Sequence, residues 1–165
     1  MKRRLLFLFA VFMVGASVGW GQMIPTYYKV AVGTGGDGSS AGSPIYKANL
    51  EAALSDAALS SLDSVIILLP EGEYSANAAP YSITKSSLAI IGEGDTSTVT
   101  IKSPVDIELT NGGNVSFQKV HLTAKTSTGR GVVDIKSSKT TVSFSESKIT
   151  IEGSPIVALD GMARL

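Results

Sequence analysis

The sequence contains no cysteine, so neither a disulfide framework nor a thiolate metal site is available to it in any compartment. Basic residues of catalytic use are scarce: beyond residue 21 the arginines are Arg130 and Arg164, and the one histidine is His121. Charge of one sign is lacking as well. Lysine plus arginine number 14 against 14 acids, which gives no electrostatic reason to hold nucleic acid or anionic lipid. Aromatic residues make up only 7% of the chain, whereas 17 glycines point to many turns. What is present, 44% hydrophobic residues in a chain of 165, suits one domain with a real interior rather than a disordered chain.

A long apolar run is also missing. LLFLFAVFMVGASV, residues 5–18, is about 14 residues, short of the roughly 20 that cross a bilayer. It follows the basic Met1-Lys2-Arg3-Arg4 and precedes Gly19-Trp20-Gly21, which sets small residues at −3 and −1 before Gln22. That pattern predicts an export signal cleaved after Gly21 and a secreted or cell-surface protein with no membrane span after cleavage. The lipoprotein route is closed, since no cysteine follows the run. Loss of Lys2, Arg3 and Arg4 leaves 11 basic residues against 14 acids, a net charge near −3.

Downstream, Tyr28, Val30 and Val32 alternate with Lys29 and Ala31, which predicts a short strand. The Gly-Thr-Gly-Gly-Asp-Gly-Ser-Ser run after it lacks both the Lys-Ser/Thr ending of a phosphate-binding loop and the spacing of a dinucleotide fingerprint, so it reads as a connector and implies no cofactor. Ser43-Pro44 resembles a helix start, with Ser43 as N-cap. Tyr46, Leu50, Ala53, Leu54 and Ala57 would then share one helical face over residues 46–59.

The rest of the chain is short alternating segments with a period. VSFQKVHLT (115–123) aligns with VSFSESKIT (142–150) at an offset of 27, and VDIE (105–108) with VDIK (133–136) at 28. LAIIGEG and TVTIKS give a weaker upstream copy. Each repeat holds three strand-sized pieces, with Val115, Phe117, Leu122, Ala124, Val133 and Ile135 as inward residues of one copy and Val142, Phe144, Ile149 and Ile151 of the next. Such a period is the mark of a solenoid. The expected fold is all-β: a right-handed, single-stranded parallel β-helix of about three or four coils with an N-terminal capping α-helix. The expected layout is a signal peptide at 1–21, a strand, glycine-rich loop and capping helix at 22–62, and coils at 63–165 that stop in the third strand of a coil and are therefore expected to be incomplete at the C-terminus, the N-terminal portion of a longer protein. In that layout SVIILLPEGEYS (64–75) is the first coil's strand, between the helix and the next coil. The helix blocks edge-to-edge self-association at its end, and with no such plug at the other end, self-association there is among the expected partner modes.

YYKVAVGTGGDGSSAGSPIYKANLEAAL, then SVIILLPEGEY and LAIIGEG, resembles the start of secreted bacterial right-handed β-helix proteins of the pectin-lyase-like superfamily. The shared motif, a hydrophobic strand followed by Pro-x-Gly-x-Tyr, is carried by Leu69, Pro70, Gly72 and Tyr74. The resemblance implies architecture over nearly the whole exported chain and leaves activity open, because lyases, glycoside hydrolases and surface proteins without chemistry share that fold.

Candidate site residues are few. Asp106 and Asp134 fall at equivalent outward positions on adjacent coils, where like charges repel unless something positive lies between them. Calcium is one reading, a solvated surface pair the other, with Glu108 opposite Lys136 as ordinary charge stacking. His121 aligns with Lys148 and Thr98. Thr100, Thr123 and Thr150 form an outward ladder able to lie along a glycan. Tyr27, Tyr28, Tyr46, Tyr74 and Tyr81 are expected to seat the cap. With no acid/base constellation in view, the expected function is an exported non-catalytic surface or adhesin-like module that contacts polysaccharide or a cell-surface protein. The alternative is the N-terminal part of a polysaccharide lyase or glycoside hydrolase with its catalytic residues outside this chain.

Overall fold

The computed structural model describes residues 25–61, 63–77, 80–125 and 131–152. The expected export signal, Arg130, Arg164 and residues 156–165 lie outside the described residues. Within them the chain forms β1 (Thr26–Val30), β2 (Ile45–Lys47), the helix α1 (Leu50–Leu59), β3 (Val65–Leu69), β4 (Gly72–Tyr74), β5 (Tyr81–Ile83), β6 (Ser87–Gly92), β7 (Val99–Ile101), β8 (Val105–Ile107), β9 (Gly113–Gln118), β10 (His121–Lys125), β11 (Val133–Ile135), β12 (Thr140–Ser145) and β13 (Lys148–Glu152).

All strand pairs are parallel and fall into three sheets. The first runs β12-β9-β6-β3-β1-β2, the second β13-β10-β7-β4, the third β11-β8-β5. From β3 onward the chain visits the first, second and third sheets in turn and then returns to the first. One such circuit, β3 to β5 for instance, is a pass. Each pass adds one strand to each sheet, so residues 21 to 28 apart in sequence become neighbours. The fold is therefore a parallel β structure with one helix.

Register follows from apolar ladders, because a slip of one residue would turn every inward side chain to the other face. In the first sheet Val65, Leu88, Val115 and Val142 are successive partners, as are Ile67, Ile90, Phe117 and Phe144. The Phe117 and Phe144 rings stack with centroids 5.4 Å apart and planes 10° apart. The second sheet lines up Tyr74, Ile101, Leu122 and Ile149, and the third Ile83, Ile107 and Ile135. Ile67, Val65, Ile101, Phe117 and Leu122 are all fully buried, each contributing about 1.5–3 kcal/mol.

The turns recur as well. Gly92 ends its strand of the first sheet, and Lys119 and Glu146 follow theirs, at the same corner. Lys119 and Glu146 adopt the left-handed conformation, with φ of 54° and 50°. Glycine is required at 92 for a different reason: a Cβ there would lie 2.2 Å from the Lys119 carbonyl oxygen. Serines close the corners by satisfying amides of the preceding pass. Ser103 Oγ accepts from Ala76 N at 2.9 Å, Ser137 Oγ from Leu109 N at 2.5 Å and Ser147 Oγ from Val120 N at 3.4 Å.

Several expectations are corrected. The helix starts at Leu50, not near Ser43: Asn49 is its N-cap, the side chain accepting from Ala52 N at 2.8 Å. Ile45–Lys47, Tyr46 included, is an edge strand paired with β1, so strand pairing overrides the Ser-Pro start signal. Leu50, Ala53, Leu54 and Ala57 do form the buried helical face. Val32 lies beyond β1 and is fully exposed. SVIILLPEGEYS forms two strands rather than one, β3 and β4 in different sheets, and β3 pairs between β1 and β6. Tyr74 belongs to the second sheet. Ile135, expected inward, is 38% exposed, and Phe144, Ile149 and Ile151 are 41–48% exposed, because among the described residues no later strand covers them.

Tyr81 is buried against α1, beside a groove of about 340 Å³ that Glu51, Leu54, Ser55, Ala58 and Ser82 help to line. Burial pushes its phenol up to about 12, with Glu51 adding to the effect. Tyr74 donates to the Pro70 carbonyl at 2.6 Å, and burial raises it likewise to about 12.

Candidate functional site

Two outward faces carry the candidate residues. On the third sheet Asp134 is the direct partner of Asp106, as the repeat predicts, and Ser82 flanks Asp106 on its other side. Contrary to the solvated reading, Asp106 is buried, at 6% exposure. Lys136 Nζ donates to Asp106 Oδ2 at 2.6 Å. Lys136, just after β11, therefore reaches diagonally across to Asp106 on β8 and does not pair with Glu108, which is exposed. Asp134 and Lys136 lie two positions apart along the chain, so both project from the same face. The Lys136 ammonium thus sets a positive charge against Asp106, the more buried of the two stacked acids. Among the described residues no group of three His, Cys, Asp or Glu side chains is placed to hold a metal ion.

On the second sheet the expected threonine ladder is shorter than predicted. Thr123 and Thr150 are direct partners, but Thr100 pairs with His121 on one side and with Glu73 on the other. His121 is thus level with Thr100, not Thr98. The error is a slip of two residues, which preserves the face and changes the neighbour. The correct register puts Ile101 opposite Leu122, both fully buried, and one step back sets Val99 level with Val120, also fully buried. Burial of Val120 is the signal that would have fixed the alignment.

The resulting strip has linked polar contacts across adjacent strands. His121 Nε2 lies 2.9 Å from Thr150 Oγ1, and Thr123 Oγ1 donates to Glu152 Oε1 at 3.0 Å. Thr123 is 4% exposed despite its outward position. Lys102 Nζ pairs with Glu73 at 2.6 Å farther along the sheet. Burial, then the Lys148 ammonium, hold the imidazole below its ordinary pKa, while the Glu152 carboxylate opposes them. Glu152 and Lys102 were not singled out from the sequence. Alternation two residues beyond Thr150, and two beyond Thr100, would have found them.

His121 and Thr150 have the separation of a base and a hydroxyl nucleophile. Among the described residues no carboxylate orients the other ring nitrogen, so the pair lacks the third member of an acyl-transfer constellation. What the strip offers chemically is a row of hydroxyl, imidazole, ammonium and carboxylate groups on a regular sheet face. Comparison with protein-family models finds no match, and the same holds for curated proteins and for solved structures.

Proposed function

We propose that this chain is an exported, non-catalytic surface module built as a right-handed parallel β-helix, akin to the pectin-lyase-like superfamily, and that it contacts glycan through the outward face of the second sheet. The observation that carries the reading is the strip of His121, Thr123, Lys148, Thr150 and Glu152, whose groups repeat across strands about 4.8 Å apart. Hydroxyls, carboxylate and ammonium at that spacing match the donor and acceptor alternation of sugar hydroxyls. The proposed fold supports the reading because it turns a small sheet into a long flat face. The basic run at residues 2–4 and the apolar run after it support export.

The test is a polysaccharide panel probed with residues 22–165, with reducing-end and unsaturated-product assays run on the same samples. Binding without product, weakened by Thr150→Ala and by His121→Ala, is expected. Product release would overturn the non-catalytic reading and favour the lyase or hydrolase alternative. Binding unaffected by both substitutions would remove the strip from the site.

A further inference from the structure

His121, the one histidine in the chain, shares a hydrogen bond with Thr150: Nε2 and Oγ1 lie 2.9 Å apart. Only one hydrogen fits between these atoms, and its owner depends on the charge of the ring. Imidazolium carries N–H on both nitrogens, so Nε2 then donates and the Thr150 oxygen accepts. Neutral imidazole leaves one nitrogen bare. Among the described residues the Thr150 hydroxyl has no other partner, which makes a bare Nε2 the acceptor for its hydrogen. The neutral ring then carries its own proton on Nδ1. Thr150 therefore has two states: with a neutral ring its hydrogen points at His121 and its lone pairs face the strip, and with a charged ring the hydrogen turns outward.

The charges around the ring come from four strands. On β13 Lys148 is the direct partner of His121, and Glu152 lies beyond Thr150. On β7 the partner is Thr100, and Lys102 on that side is held by Glu73 of β4. Lys119 and Lys125 bracket His121 along its own stretch of chain. Lys148 has no ion-pair partner among the described residues, whereas Glu152 accepts from Thr123. The balance favours a neutral ring, since burial and Lys148 outweigh Glu152 and hold the imidazole below its ordinary 6.5. A neutral glycan laid on the strip takes water from the ring, and a charged ring beside Lys148 has more hydration to lose. Bound glycan and bound proton therefore oppose each other, and each weakens the other by the same factor.

We infer that protonation of His121 reverses its hydrogen bond with Thr150 and releases neutral glycan from the strip. The release rests on the glycan reading, and the reversal does not. With a single histidine, the ring-nitrogen NMR shifts of residues 22–165 report His121 alone. At about pH 8 they are expected to show a bare Nε2 and a protonated Nδ1, and at about pH 4.5 protons on both. Thr150→Ser should keep the neutral form and Thr150→Val should lose it. A neutral ring already protonated on Nε2, or one unchanged by Thr150→Val, would overturn the reversal. Xylan, galactan and mannan then test the release. Whichever binds at about pH 8 should weaken about tenfold on acidification, along the titration curve of His121, because one pH unit between its free and bound midpoints corresponds to that factor. Affinity independent of pH, or an equal loss in His121→Gln, would overturn the release. Absence of binding at every pH would instead sink the glycan reading and the release with it, while the spectrum still decides the reversal.

Discussion

Phe117 and Phe144 are the same residue, in the same ladder, with stacked rings, yet one is fully buried and the other is 41% exposed. The same contrast separates Leu122 from Ile149 and Ile107 from Ile135. Local sequence cannot account for it, because VSFQ and VSFS are nearly identical. The difference teaches that burial here is conferred by the neighbouring passes, one on each side. A strand sandwiched between two passes has a core, and a strand with one neighbour has half of one.

The largest expected effect tests the sandwiched side. Ile67→Asp should abolish cooperative folding, losing about 1.5–3 kcal/mol of burial and adding a larger penalty for an unpaired buried charge. An unaltered thermal midpoint would break the comparison at its centre. Next, Phe117→Ala should cost about 3–5 kcal/mol in denaturant unfolding and Phe144→Ala less than about half of that, measured dilute enough for monomers. Equal losses would mean that Phe144 has a second covering surface.

A smaller effect sharpens the comparison at the corners. Gly92→Ala should cost about 1–3 kcal/mol, because the methyl meets the Lys119 carbonyl of the next pass. Lys119→Gly, at the equivalent corner, should instead be neutral or stabilise by up to about 1 kcal/mol by relieving its positive φ. Opposite signs from chemical denaturation are the expected outcome. The smallest effect concerns the first pass alone, where Tyr74 and Tyr81 are pushed up to about 12 from an ordinary 10.0. A phenol raised in the folded state contributes stability that is complete below the unfolded value and is lost as pH rises through the folded one. Stability should therefore fall between about pH 10 and 12, with these phenolates appearing late in a spectrophotometric titration. Normal titration in both Tyr74→Phe and Tyr81→Phe backgrounds as well as in the parent chain would contradict their burial.

Much of this was legible before any coordinates. The offsets of 27 and 28 correctly made Phe144 the partner of Phe117 and Asp134 the partner of Asp106, because identical residue types had to repeat for the ladders to form. The inward set of the sandwiched passes followed from alternation. The helix start was not legible: Ser43-Pro44 is a good local signal, but Ile45–Lys47 gains hydrogen bonds to β1 that no local pattern announces. Thr100 was misplaced because the loop before β7, residues 93–98, is longer than its counterpart before β10, residues 119–120, and a two-residue error leaves polarity alternation intact. The Lys136 contact to Asp106 was missed because a long side chain chooses among neighbours on one face by geometry, which spacing alone does not supply.

The corner serines have one more consequence. Ser103, Ser137 and Ser147 each close an amide belonging to the circuit before their own, so every circuit arrives carrying the fastener for its predecessor. A tandem duplication of one 27-residue unit would thus bring its own fastener and leave another for the unit behind. The molecule can grow by whole storeys, about 4.8 Å at a time, without redesign of the floors beneath.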